Sequence, residues 1–227
     1  MKLSEYRKKR QFGMTPEPRG ADTAQTEGTG SLIYAIQKHM ASHLHYDLRL
    51  QWRGVLLSWA VPKGPSLDPA EKRLAMQTED HPIEYSDFEG VIPAGQYGAG
   101  TVMLWDRGTW QPDDADLDSA LEKGEIKFTL HGEKLHGSWV LVRIRGFGKT
   151  PLRSAWLLMK HRDQYASQKD VTQTEPRSVA SQRVLADIAR DEGGDVARAS
   201  QGDPADKART LASPPVSGHL AGRKRRA

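Results

Sequence analysis

The stretch LHYDLRLQW at 44–52 alternates strictly: Leu44, Tyr46, Leu48, Leu50 and Trp52 fall on one side, His45, Asp47, Arg49 and Gln51 on the other. A period of two is that of a β-strand with one face in a core. Similar short runs recur. EIKFTL at 125–130 puts Ile126, Phe128 and Leu130 together, and LLSWAV (56–61), RLAMQT (73–78), TVMLWD (101–106), SWVLVRIR (138–145) and AWLLMK (155–160) also suit strands. Gly- and Pro-rich connections such as VPKGPSLDP and EGVIPAGQYGAG separate them. Many short strands with turn signals between them imply a mainly β fold, a compact antiparallel β-barrel with short flanking helices and disordered tails.

Helical patterns are few. DLDSALEKG at 116–124 reads as one, stopped by Gly124, and residues 4–10 and 183–191 carry a turn or two each. With 37% hydrophobic residues, the chain is lean for its length, so part of it is expected to lack structure. Three segments follow: a flexible basic arm at 1–30, a β-barrel domain at 31–166, and a disordered basic tail at 167–227. Past residue 204 the tail holds six Lys/Arg (Lys207, Arg209, Arg223, Lys224, Arg225, Arg226) against the single acid Asp206. The absence of cysteine excludes disulfides, thiolate metal ligands and cysteine nucleophiles, and fits a reducing compartment. No apolar run approaches the length of a bilayer span, so no membrane partner and a cytoplasmic, nucleoid-associated location are expected. The net charge of +4 mildly favours an anionic partner.

HMASHLHYDLRL at 39–50 concentrates titratable groups. On a strand, His43, His45, Asp47 and Arg49 project to one side, and His45 and Asp47 can converge on one point. His39 precedes a short MAS break that can fold it back beside them. Two imidazoles and a carboxylate make an N/N/O set suited to Mn²⁺, Fe²⁺ or Zn²⁺. A wet strand face with separately solvated histidines is the alternative. His43 is assigned to substrate contact. Arg49 beside such a centre is tolerable if it pairs with a carboxylate or if an anion such as phosphate lies between. Lys63, Lys72, Arg73, His81 and Tyr85 are further candidates for gripping a phosphoryl group. GQYGAG at 95–100 lacks the ending of a phosphate-binding loop and reads as a turn feeding a strand.

IQKHMASHLHYDLRL and GVLLSWAVPKGPSLDPAEKRLAMQTEDHPIEYSDFEGVIPAGQYGAGTVMLWDRGTW together closely resemble the 3′-phosphoesterase module of bacterial and archaeal DNA ligase D, which heals broken ends before end joining. The resemblance runs from about 32 to 163, and SEYRKKRQFGMTPEP fits that module's arm. It implies a β-barrel with a concave groove, and manganese (with Co²⁺ or Zn²⁺ as alternatives) held by His39, His45 and Asp47. The family's phosphate-binding and catalytic positions fall on Arg49, Lys63, Arg73, His81 and Tyr85, with Glu79 as a supporting acid. Removal of a 3′-phosphate, leaving a 3′-hydroxyl, is the implied reaction. Trimming of a terminal ribonucleoside is tied to arm residues, here Glu17 or Asp22. Met40 and His43 depart from the family's usual acidic and basic residues. The expected partners are DNA or RNA 3′ ends in primer–template form and a separate ligase or end-binding protein, because polymerase and ligase sequences do not accompany the module and the chain reads as stand-alone. Two rival readings use the same residues. One is a non-haem Fe(II) oxygenase built on His45-x-Asp47 with His131 or His136. The other is a non-catalytic DNA-binding protein that needs only the cations.

Overall fold

The alternating stretch forms β2 (Leu44–Trp52), and the other runs read as strands form β3 (Val55–Val61), β4 (Arg73–Gln77), β6 (Gly100–Pro112), β7 (Glu125–Gly132), β8 (His136–Arg143) and β9 (Ala155–Lys160). Two strands carry no such signature, β1 (Leu32–Met40) and the short β5 (Gly90–Ile92). From Tyr34 to Met40, β1 is buried at every residue. A strand covered on both faces has no reason to alternate. The computed structural model describes residues 3–20, 31–144 and 154–205.

The strands pair antiparallel in the order β1-β2-β3-β4-β9-β8-β7-β6, and β1–β6 pairing closes the eight into a barrel. β5 adds to the far end of β6. Thirteen residues long, β6 reaches β5 with one end and β7 with the other while lying along β1. Its register with β1 shifts between Ile36 and Gln37, so that Trp105 has no partner on β1. Such bulges bend the strand and increase twist, which barrel closure requires. Gly100 is obligatory there: a Cβ would lie 2.1 Å from the Met40 carbonyl oxygen.

Trp59, Trp105, Trp139 and Trp156 are fully buried and share one core with Leu48, Leu50 and Phe128. Trp59 and Trp156 meet edge to face at 5.8 Å. Truncating one such ring to alanine costs about 3–5 kcal/mol, so these rings dominate the barrel's stability. Helix α1 is Ser4–Lys8 and α2 is Leu117–Lys123. The Asp116 carboxylate accepts the Ser119 N–H at the start of α2, and Gly124 ends it with φ 81°.

The described parts of both tails, 3–20 and 167–205, depart from expectation. Residues 3–20 pack onto the barrel: Tyr6 is fully buried and its hydroxyl donates to the Pro18 carbonyl at 2.6 Å. Residues 167–205 carry α3 (Val171–Thr174), α4 (Leu185–Asp191) and α5 (Val196–Ser200). Val184, Leu185, Ile188 and Ala199 from this segment join the barrel's core cluster. The Asp203 carboxylate accepts N–H bonds from Leu185 and Ala186, at 3.1 and 2.9 Å, and lies 3.8 Å from the buried Lys38 ammonium of β1. The segment reads as disordered because its apolar residues are few. They are grouped on short helices such as α4, where Leu185, Ile188 and Ala189 meet the barrel core, so no long period is needed. The basic cluster past residue 206 lies outside the described residues. No helix among the described residues is long and apolar enough to cross a membrane.

Leu185→Ala distinguishes an integral segment from a tail. Leu185 has no exposure, so urea unfolding should show a loss of roughly 2–5 kcal/mol. A segment outside the cooperative unit would lose less than about 0.5 kcal/mol.

Candidate metal centre and active-site cleft

Pairing registers assemble the site. His39 of β1 stands opposite His45 of β2, Gln37 opposite Asp47, and Ala35 opposite Arg49. On the next strand Asp47 faces Ala60 and Arg49 faces Ser58. Strand alternation puts Tyr46, Leu48 and Leu50 in the core and their neighbours on the opposite face, where the site lies. His81 joins through a bridge to Leu56, with N–H···O bonds of 2.8 and 3.0 Å in both directions.

One ligand atom each from His39, His45 and Asp47 lies within 4.8 Å of the others. His39 Nδ1 and His45 Nε2 are both 3.7 Å from Asp47 Oδ2. That is too long for a hydrogen bond. It is close to the separation of roughly 3–3.5 Å between donors that share one cation at about 2.1 Å. The opposite ring nitrogens are tied to backbone carbonyls, His39 Nε2 to Gly98 (2.9 Å) and His45 Nδ1 to His43 (3.0 Å). Each N–H donated there leaves the inward nitrogen with a free lone pair, the arrangement that holds an imidazole as a metal ligand. Burial pushes the His45 imidazole below its ordinary pKa, further favouring the neutral form. Burial opposes ionisation of Asp47, yet the Arg49 guanidinium outweighs it and holds the carboxyl well below the usual carboxylate range. The donor set thus fits a divalent cation.

Arg49 is gripped on three sides. Nε donates to Gln37 Oε1 (2.6 Å), Nη1 to Ser58 Oγ (2.9 Å) and Nη2 to Asp47 Oδ2 (3.2 Å). These bonds use three of its five N–H donors. Its guanidinium lies 4.6 Å from the centroid of the buried Tyr85 ring. Gln37 is in turn fixed by donating to the Tyr85 and Phe88 carbonyls. The arginine beside the metal set is therefore paired with a carboxylate, one of the two conditions under which such a neighbour is tolerable.

The arm brings a second guanidinium into the same cleft. Arg10 Nε donates to Glu17 Oε1 at 2.8 Å, Nη1 to Glu79 Oε1 at 3.2 Å and Nη2 to His81 Nε2 at 3.2 Å. Tyr85 Oη also donates to Glu17, at 3.0 Å. Because Arg10 only donates, His81 Nε2 accepts, and His81 Nδ1–H donates to the Glu79 carbonyl at 2.8 Å. Burial, then Arg49 and Arg10, keep His81 neutral by lowering its pKa well below the ordinary value.

His39, His45, Asp47, Arg49, Glu79, His81 and Tyr85 line one cleft of about 240 Å³, together with Arg10 and Tyr97. Four expected residues lie outside its lining, and of these Lys72 is exposed just before β4. His43 precedes β2 with an exposed side chain, and only its carbonyl serves the site. Lys63 is exposed on the turn after β3. Arg73 shares its face of β4 with core Ala75 and with Gln77, whose Oε1 accepts from core Trp156. It therefore points to the other side of the sheet, beside Glu71 at 3.7 Å. Asp22 lies outside the described residues. His131 and His136 pair with each other across β7–β8, away from the cleft, so the oxygenase triad that requires one of them does not assemble. Sequence reading missed Gln37, Ser58 and Arg10, ordinary polar residues on strands or an arm with no motif of their own. It also missed the Gly98 carbonyl, contributed by the turn that GQYGAG forms.

Comparison with known proteins gives a family match and several relatives. Residues 37–143 match the family described as the DNA ligase D 3′-phosphoesterase domain. The multifunctional non-homologous end joining protein LigD of Pseudomonas aeruginosa is 54% identical over 186 residues, covering 81% of this chain and 22% of that protein. The Mycolicibacterium smegmatis protein of the same description is 42% identical over 72% of this chain and 21% of its own length. The Mycobacterium tuberculosis non-homologous end joining DNA repair protein LigD is 43% identical over 64% of this chain and 19% of its own length. The chain thus spans about a fifth of the curated relatives it matches.

The His81 arrangement has a pH signature. The unfolded imidazole titrates near 6.5, whereas the folded one is held neutral well below that. As pH falls through 6.5 the unfolded chain binds the proton first, so stability is present above this pH and lost below it. In metal-free buffer, denaturant unfolding should lose stability from pH 7 to 5. His81→Gln should flatten that slope by about 1 kcal/mol per pH unit between roughly pH 6 and 5. An unchanged slope would show that His81 titrates normally in the folded protein.

Proposed function

From the premise that the chain carries a 3′-phosphoesterase domain of the DNA ligase D family, we propose that it is a metal-dependent hydrolase that removes a 3′-phosphate from DNA or RNA ends and leaves a 3′-hydroxyl for joining. The observation that carries this reading is the convergence of His39, His45 and Asp47 beside two guanidinium groups in one cleft. His39 Nδ1, His45 Nε2 and a carboxylate oxygen of Asp47 would hold the ion, Mn²⁺ by the family's habit, with Co²⁺ or Zn²⁺ as alternatives. When bound, a divalent ion supplies a Lewis acid for phosphoryl oxygens and lowers the pKa of an attacking water.

The protein's own groups do the rest. Arg49, held by Gln37, Ser58 and Asp47, presents its remaining N–H donors to the phosphoryl oxygens without reorganising, which is how a fixed cation stabilises charge that grows in the transition state. Arg10 adds a second guanidinium from the arm. His81, a neutral Nδ1–H tautomer, orients Arg10 and serves as a hydrogen-bond partner in the phosphoryl pocket rather than as a proton source near neutral pH. Tyr85 braces Glu17 and stacks under Arg49. Glu79 fastens the arm through Lys9 and Arg10. Lys63 and His43, outside the pocket, would meet the polynucleotide backbone, and such contacts make binding salt-dependent. Trimming of a terminal ribonucleoside would draw on the arm residues Arg10 and Glu17. A ligase or end-binding protein would take up the healed end.

A primer–template labelled at its 3′-phosphate tests the reading. Label should be released with Mn²⁺ and retained with chelator. Loss of an outer hydrogen-bond partner of a metal ligand typically costs 10–100-fold, so removing a ligand outright, as in His45→Ala or Asp47→Ala, should cost at least about a hundredfold. Release at the wild-type rate by either variant contradicts the ligand set. Arg49→Lys should also be strongly impaired, because one ammonium cannot make three divergent bonds and still face the substrate.

A further inference from the structure

Tyr97 is an aromatic residue out of place. It is 49% exposed, it lines the mouth of the cleft, and it belongs to neither apolar cluster of the described residues. It sits one residue before Gly98, whose carbonyl holds His39 Nε2 at 2.9 Å. One peptide unit therefore ties the position of the ring to that of a candidate metal ligand. From the arm, Lys9 Nζ donates to Tyr97 Oη at 3.4 Å and to Glu79 Oε2 at 2.9 Å, and the Arg10 guanidinium lies 5.6 Å from the ring centroid. The ring is thus braced at its hydroxyl end and along its backbone, while half its surface stays open to solvent.

A nucleoside 3′-ester divides into parts that match this layout. Its phosphoryl oxygens suit the imidazole, carboxylate and guanidinium floor. Its sugar leads away from that floor, and its base presents a π-face that an exposed aromatic ring can stack on in a sequence-tolerant way. Resting on the reading of the cleft as a 3′-phosphoesterase centre, we infer that Tyr97 is the stacking platform for the terminal nucleobase of the 3′ end, and that it sets a preference for base-bearing ends over abasic ones.

Two primer–templates test this, identical except that the 3′-phosphorylated terminal residue carries a base in one and is a tetrahydrofuran abasic analogue in the other. With Mn²⁺ present, wild-type protein should show the higher kcat/KM on the base-bearing end. Tyr97→Leu, which keeps apolar bulk without a π-face, and Tyr97→Ala should each reduce that preference about tenfold, through KM rather than kcat. Tyr97→Phe should retain it. If Tyr97→Leu and Tyr97→Ala slow both substrates equally and leave the ratio unchanged, Tyr97 merely shapes the loop and the inference is overturned. Equal wild-type rates on the two ends overturn it as well, while the phosphoesterase reading stands. No release by wild type from either end overturns that reading and the inference with it.

Discussion

β1 is hydrogen-bonded along both edges, to β2 on one side and to β6 on the other, and the rest of the molecule depends on that double pairing. The β6 edge closes the barrel and the β2 edge sets the site. Because side chains alternate, a slip of one residue would send Gln37 and His39 into the core and bring Tyr34 and Ile36 out to the cleft. Several contacts resist the slip. The Tyr34 hydroxyl donates to Asp106 Oδ2 at 2.6 Å, and Asp106 also accepts the backbone N–H groups of Glu133, Lys134 and Leu135. Gly100 lets β6 approach the Met40 carbonyl, and the bulge at Trp105 absorbs the mismatch in between. Barrel closure and ligand convergence are in this sense one constraint.

Electrostatic order within the cleft follows from the same layering. Gln37, Asp47 and Ser58 come from three neighbouring strands and each takes one bond from Arg49. A buried guanidinium would be costly if its partners were lost, and satisfied as it is, it is stiff. The arm repeats the motif with Arg10 held by Glu17, Glu79 and His81. Two cations are thereby immobilised in the cleft that carries the donors suited to a metal ion, each balanced by a carboxylate.

Much of this was legible in the sequence, for a physical reason in each case. LHYDLRLQW shows its alternation because one face meets the core and the other carries polar site residues. The antiparallel barrel follows from many such strands. His39, His45 and Asp47 are legible because histidine is scarce, eight in the whole chain, and three of the eight fall within residues 39–45. Other features left no trace. β1 is buried on both faces, so its strand period is hidden. Arg73 reads as a phosphate ligand in the sequence, whereas β4's alternation puts it on the face of Ala75, outside the cleft lining. Residues 167–205 look disordered in the sequence because they anchor through helices of only four to seven residues, too short to show a sustained period. Arg10 reaches the cleft only through tertiary folding of the arm.

The central claim is that three side chains from β1 and β2 share one divalent ion. Crystals grown or soaked with manganese, measured near the manganese absorption edge, address it directly. The account requires an anomalous peak within bonding distance of His39 Nδ1, His45 Nε2 and an Asp47 carboxylate oxygen, with Arg49 still bound to Gln37 and Ser58. A peak elsewhere, or these three side chains turned apart with no peak between them, would contradict it.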